Sequence, residues 1–263
     1  MTQHRISRIA ALTFFSFVLV MSLWNISCSP AEQAVAPDPA QIGVGDGVPI
    51  FEWDPTWPKQ PLPNQRTIGG GMGVAVDEMD HIWISHKPND ITALEAAAAA
   101  DPPRAVCCIP APSIIEFDQE GNEIWNWSTF DHYDLTEYNP YYVEIYTGNQ
   151  EMDWTHSNSI FFDENTESVF ISVRNLSWIT KIDYASKDLI WNLGQTDFMN
   201  EIYFDVDLNF SQQHSVQVLD NGNLLFFDNH RYLTPELSRC MEISYDEADY
   251  SVEIVWEYQL PEN

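Results

Sequence analysis

The feature that most constrains this chain is a set of short strand-like runs that returns three times. The runs come in pairs closed by Asp, Asn and Gly: GVAVD at 73–77 with HIWIS at 81–85, then SIFFD at 159–163 with SVFIS at 168–172. The third pair is QVLD at 217–220 with LLFF at 224–227, across the turn Asn221, Gly222, Asn223. Period-two runs bounded by turn residues mark strands joined by hairpins, and helical periodicity is nearly absent after the first 28 residues. A second pair follows each first one: SIIEFD at 113–118 with EIWNW at 123–127, WITKID at 178–183 with DLIWN at 188–192, and RCMEIS at 239–244 with VEIVWE at 252–257. The unit is therefore four antiparallel strands, the last of them bearing a Trp each time.

A repeated four-stranded unit is the pattern of a β-propeller blade. The expected fold class is all-β, a propeller with three blades at about 68–127, 155–194 and 213–260. Closed propellers need about four blades or more, so the expectation is a truncated propeller or one completed by another chain. Two long excursions interrupt the repeat. Residues 87–112 hold an Ala-rich helical stretch at 92–101 with Pro102, Pro103 and the pair Cys107, Cys108. Residues 128–154 carry Tyr133, Tyr138, Tyr141, Tyr142 and Tyr146, which suits either an ordered lid over the channel mouth or a packed surface cover.

Residues 1–28 have the form of an export signal, with Arg5 and Arg8 ahead of an uncharged apolar run at 9–24, shorter than the roughly 20 residues of a spanning helix. Small residues before Cys28 fit lipoprotein-type cleavage and acylation of Cys28. The alternatives are ordinary cleavage near Ala34 to Ala36 and an uncleaved anchor. Residues 29–48, rich in Ala, Pro and Gly, form a tether, and residues 49–263 the propeller. Every one of these readings places the folded part outside the cytoplasm, as a periplasmic protein or an outer-membrane lipoprotein. Cys107, Cys108 and Cys240 are an odd set for an oxidising compartment; a link from Cys107 or Cys108 to Cys240 and a vicinal bridge are both open.

Charge narrows the partners. The 263 residues carry 40 acidic and 11 basic side chains, a net charge of −29. Nucleic acid and anionic membrane surfaces need a positive field and are excluded as partners of the whole surface. With 44% hydrophobic residues and 10 Trp the chain is nonetheless a folding sequence.

The candidate chemistry sits at the start of the second and third blades. His156 opens one and His214 the other. Arg174 follows the first after 18 residues and Arg231 the second after 17, each just past the second strand. Innermost propeller strands face the channel, so two imidazoles and two guanidiniums are expected to converge. Guanidinium supplies a fixed fork of donors for a tetrahedral oxyanion such as sulfate or phosphate, and imidazole can donate, accept or attack. The competing explanation is that the repeated His-Ser is blade architecture.

The same residues carry a resemblance. DWTHSNSI at 153–160, ISVRNL at 171–176, TKID at 180–183, IWNLG at 190–194, QHSVQ at 213–217, Gly222 with Asn223, and FDN at 227–229 resemble the bacterial arylsulfotransferase family over about 123–261. The resemblance implies a periplasmic six-bladed propeller, here truncated, that moves a sulfuryl group from an aryl sulfate to a phenol through a histidine intermediate, with no cofactor. It implies catalytic roles for His156, His214 and Arg231 and substrate contacts for Arg174, Asn158 and Asn229. It places the nucleophilic histidine in a later blade; Asn175 stands where relatives often carry His, and the context of His230 does not match the nucleophile.

The first blade differs. Its Pro-rich approach at 55–63, GVAVD, HIWISH at 81–86 and the Pro and Cys pairs at 102–112 resemble NHL-type propellers related to the peptidyl-hydroxyglycine amidating lyases, a class that holds metals with channel His and acidic residues. No metal is assigned to His81 or His86, to the cysteines, or to the acidic run with Asp205 and Asp207, which lacks the Gly and the terminal Glu of a calcium loop. The three NxS sequons, at Asn126, Asn175 and Asn209, are taken as chance in an exported bacterial-type protein. Beside the sulfotransferase stand two alternatives, a non-catalytic propeller binding module and a metal-dependent lyase-type propeller.

Overall fold

A computed structural model describes residues 54, 56–59, 62, 66–87, 109–110, 113–142, 153–206 and 208–259. The leader, Cys28, the tether, the Ala-rich stretch at 92–101, Cys107 and Cys108 lie outside the described residues.

Among the described residues, three four-stranded antiparallel sheets account for almost all regular structure. The first is β2 (Gly71–Val76), β3 (Ile82–His86), β5 (Ile114–Phe117) and β6 (Glu123–Trp127). The second is β7 (Ser157–Asp163), β8 (Ser168–Val173), β9 (Trp178–Asp183) and β10 (Leu189–Gly194). The third is β11 (His214–Val218), β12 (Leu224–Asp228), β13 (Arg239–Asp246) and β14 (Ser251–Gln259). Two short strands, β1 (Arg66–Thr67) and β4 (Ile109–Pro110), pair with each other in parallel. In each large sheet the spatial order is the chain order, a meander. The first strands are neighbours, β7 packing against β2 and against β11. The all-β, blade-like architecture expected from the repeat is what the chain adopts.

The strand sequences are β-branched and aromatic because each sheet is faced by another. β8, SVFISV, is buried at every position, so both of its faces are apolar or small. Trp83 and Trp125 lie 5.4 Å apart at the first seam, Trp125 stacks on Tyr184 at 5.7 Å, and Trp83 lies over Phe162. At the second seam Trp191 meets Phe170, Phe204 and Tyr245. Each buried ring removes some 150–250 Å² from water, roughly 4 to 6 kcal/mol before side-chain entropy is subtracted.

In the first two sheets the outer-strand Trp also has a polar task. Trp125 donates its indole N–H to the Tyr184 carbonyl at 2.8 Å, and Trp191 donates to Glu247 Oε1 at 2.7 Å. Both acceptors lie at the hairpin joining the third and fourth strands of the next sheet. Trp256, the counterpart on β14, is 47% exposed.

Close approach at the first seam requires Gly73. A Cβ there would lie 2.7 Å from the Asn158 carbonyl oxygen and 2.9 Å from Ser85 Oγ. The excursion after β6 begins with a single helical turn, α1 (Thr129–His132), and then covers the second sheet, with Tyr133 bonded to Thr180 Oγ1 at 2.6 Å and Trp154 donating to the Glu137 carbonyl. Its next residues serve as a wall of the site. Cys240, on β13, is half-buried and free among the described residues; Cys107 and Cys108, considered as its partners, lie outside them.

Candidate functional site

At the end where β7 and β11 begin lies a cavity of about 500 Å³ lined by Arg174, Arg231, Gln212, Asn229, Tyr141 and Tyr142, with Glu236 and Ser238 at its side. Arg174 starts the 3-10 turn Arg174–Leu176, immediately after β8, and its backbone N–H donates to the His156 carbonyl. The guanidinium donates to Gln212 Oε1 at 2.7 Å, Asn175 Oδ1 at 2.9 Å and the Tyr142 hydroxyl at 3.4 Å. All three partners are neutral, so its positive charge is uncompensated by contact. Arg231 is exposed, and among the described residues neither arginine forms an ion pair.

The two histidines stand beside this cavity and not in its lining. His156 Nδ1 forms a short hydrogen bond with Asp153 Oδ2, which also accepts from Lys87 Nζ at 2.8 Å. Burial pushes the Asp153 carboxyl up, but bonds from His156 and Lys87 and their charges outweigh it, and the group sits below the ordinary Asp value. An ionised Asp153 accepts from Nδ1 and so holds a proton on that ring nitrogen.

His214 is held the other way round. Asn158 Nδ2 donates to the Gln213 carbonyl and to His214 Nδ1, both at 3.0 Å, which makes Nδ1 the acceptor and places the proton on Nε2. Burial first, then the charges of Arg174 and His156, hold His214 below its ordinary pKa, so it is neutral. The site thus holds a proton on Nδ1 of one imidazole and on Nε2 of the other, next to a guanidinium.

Backbone strain gathers at this end. His156, Ser177, Asn209, Gln212, Ser215, His230 and Tyr232 all have φ between 50° and 57°. Left-handed non-glycine residues are costly and concentrate where side chains must be aimed. The sequence pairing of His with Arg is only approximate in space. His214 lies opposite Phe227 within the ladder, whereas His156 precedes β7, whose first residue Ser157 lies opposite Val173. Arg174 therefore follows its strand directly, and Arg231 comes from the turn beyond Asp228.

Of the residues expected from sequence, Arg174, Arg231 and Asn229 line the cavity, His214 is coupled to Arg174 and His156, and Asn158 orients His214. Asn229 donates from Nδ2 to the Gln212 carbonyl at 2.7 Å and so holds the strained loop. Asn175 is buried; its amide bonds the Asp153 carbonyl and so anchors the partner of His156. Gln212, Glu236, Asp153 and Lys87 were missed. Only Asp153, three residues before His156 in the quoted motif, left a local signal.

The remaining described histidines do not line the cavity. His230 is buried against Asp228, which also takes Arg239 Nε at 2.9 Å, a structural triad. His132 stacks on Trp127, and the buried His86 accepts from the Gly69 N–H.

The profile described as Arylsulfotransferase (ASST) matches residues 86–263, more than half of the chain. No curated protein sequence matches it. Among solved structures, one described as a streptogramin B lyase is similar, at 14% identity and a TM-score of 0.38, over 74% of this chain and 42% of that one. The chain spans less than half the length of that relative.

Proposed function

We propose that this chain, which belongs to the arylsulfotransferase family, binds an aryl sulfate in the cavity and takes part in transfer of its sulfuryl group to a phenol. One observation carries the reading: Arg174 and Arg231 line one cavity, neither in an ion pair among the described residues, in a protein of net charge −29. A sulfate monoester brings a single negative charge and three equatorial oxygens, which suits two guanidinium forks and the Nε2–H of His214.

In this reading Arg174, Arg231 and His214 hold the sulfuryl oxygens where charge grows in the transition state. The first transfer forms an N–S bond to a histidine as the S–O(aryl) bond breaks and the aryl group leaves as phenolate. In the second the acceptor oxygen attacks sulfur, the N–S bond breaks, and the acceptor proton passes to His156 Nε2. The family resemblance puts the nucleophilic histidine in a blade beyond these three sheets. Export by a leader ending at Cys28, lipid anchoring there, and a periplasmic or outer-membrane address belong to the same proposal. A second chain completing the ring would cover β14 and bury Trp256, as Trp125 and Trp191 are buried.

Binding without turnover is the second reading, favoured because no histidine lines the cavity among the described residues. Incubating the exported, full-length protein with 4-nitrophenyl sulfate and a phenol separates the two. Acceptor-dependent release of nitrophenol is expected. Binding of the ester by calorimetry with no release selects the binding module, and failure to bind overturns both.

A further inference from the structure

At the opposite end of the first sheet, far from the cavity, two carboxylates and an imidazole converge. Asp77 closes β2, His81 opens the approach to β3, and Glu116 lies on β5 opposite Trp83. His81 Nδ1 is 2.7 Å from Glu116 Oε1 and 3.7 Å from Asp77 Oδ2, and one ligand atom from each residue lies within 4.8 Å of the others. Ligands of a tetrahedral ion with bonds near 2.0 Å stand about 3.3 Å apart, so small side-chain movements suffice to enclose one.

Charge is the independent argument. The side chains of Glu116 and Asp77 are 0% and 2% exposed. His81 is within ion-pair distance of both, and among the described residues neither carboxylate pairs with a Lys or Arg. Two buried carboxylates thus have one imidazole as their ion-pair partner among the described residues, and buried charges are ordinarily paired or bound to metal. Blade architecture does not demand this. At the matching position of the second sheet Lys181 stands opposite Phe170 and pairs with Glu247; in the third, Glu242 stands opposite Leu225 and accepts from the amides of Asn221 and Asn223.

The surrounding donors have the form of an outer shell. Asp77 Oδ1 takes the Met79 and His81 backbone N–H groups, Trp83 Nε1 donates to Oδ2, and Tyr184 of the second sheet donates its hydroxyl to Glu116 Oε2 at 2.8 Å. These bonds orient the carboxylates and leave His81 Nδ1, Glu116 Oε1 and a lone pair of Asp77 Oδ2 toward the common centre. His81, 20% exposed, marks the solvent side, where water completes the coordination.

We propose that Asp77, His81 and Glu116 bind a divalent transition-metal ion, zinc by preference, at a site separate from the sulfate cavity. The imidazole selects against calcium and magnesium, which take oxygen ligands. Bridging β2, β3 and β5, with Tyr184 behind, the ion would pin the first sheet to the second.

The test uses the full chain stripped of metal and then titrated with zinc. One ion per chain by mass spectrometric metal analysis is expected, with a rise in melting temperature. Tyr184→Phe, which removes an outer-shell bond only, should weaken binding about 10- to 100-fold. His81→Gln and Glu116→Gln should abolish it while the apo proteins melt cooperatively. Cobalt distinguishes the cysteines: a spectrum without a thiolate charge-transfer band supports the site. Absence of stoichiometric zinc, or undiminished binding in His81→Gln, overturns it. Because the readout is metal content, a failure here leaves the sulfuryl-transfer reading standing, and the reverse holds too.

Discussion

The first sheet and the two that follow share a strand order, a Trp-bearing outer strand and aromatic seams, yet they place their ionisable groups at opposite ends. In the second and third, imidazole and guanidinium gather where the innermost strand begins. In the first that end holds the buried His86, and the acidic cluster of Asp77, His81 and Glu116 lies at the other. The difference shows that the apolar layers fix the blade, whereas its two rims are free to take separate chemistry. Lys87 is where the sheets meet functionally: it leaves the first sheet just after β3 and pairs with Asp153, the partner of His156.

Separating the two ends is the sharpest way to break this comparison. Arg174→Met removes charge-assisted bonds worth about 1.5–3 kcal/mol. It should weaken 4-nitrophenyl sulfate binding about 10- to 100-fold in calorimetry and leave zinc stoichiometry at the first sheet unchanged. A matching loss of both would mean that the ends are one site.

The seam between the regions comes next. Gly73→Ala sets a Cβ against the Asn158 carbonyl, which does not yield easily, and overpacking of this kind costs about 1–3 kcal/mol. Denaturant unfolding should show that loss, together with weaker sulfate ester binding, because Asn158 orients His214. Unaltered stability would show that the first sheet is free to shift against the second.

The smallest effect is on acid sensitivity. The Asp153 pKa is depressed in the fold, so its contribution to stability is present above the unfolded value of about 3.9 and lost as pH falls through the folded value. Asp153→Asn should lower stability at neutral pH and flatten the acid limb below about pH 4, with little change near neutrality in slope against pH. An unchanged acid limb would assign that limb to other carboxylates.

Much of the fold was legible because its signals are local. Runs such as SVFIS and WITKID alternate or saturate with apolar residues and stop at Asp or Asn turns, so strand, hairpin and order follow from neighbours in sequence. The candidate residues were legible in part for the same reason: His156 and Arg174 flank one hairpin. The cavity wall was not. Tyr141 and Tyr142 arrive from an excursion that looked equally like a cover, and Gln212 has no distinguishing neighbour. Asn175, a departure from the expected His, proved to anchor Asp153.

By itself, then, the sequence determined three four-stranded units, the Trp of each outer strand and the repeated pairing of His156 with Arg174 and of His214 with Arg231. Tertiary structure decided what those groups can do. Asp153 and Asn158 set opposite proton positions on His156 and His214, and neutral partners leave Arg174 its charge. Tyr184, contributed by the next sheet, completes the shell around Glu116. Hydrophobic period is a property of neighbouring residues, whereas protonation and charge compensation depend on atoms that only sheet-on-sheet packing brings within about 3 Å.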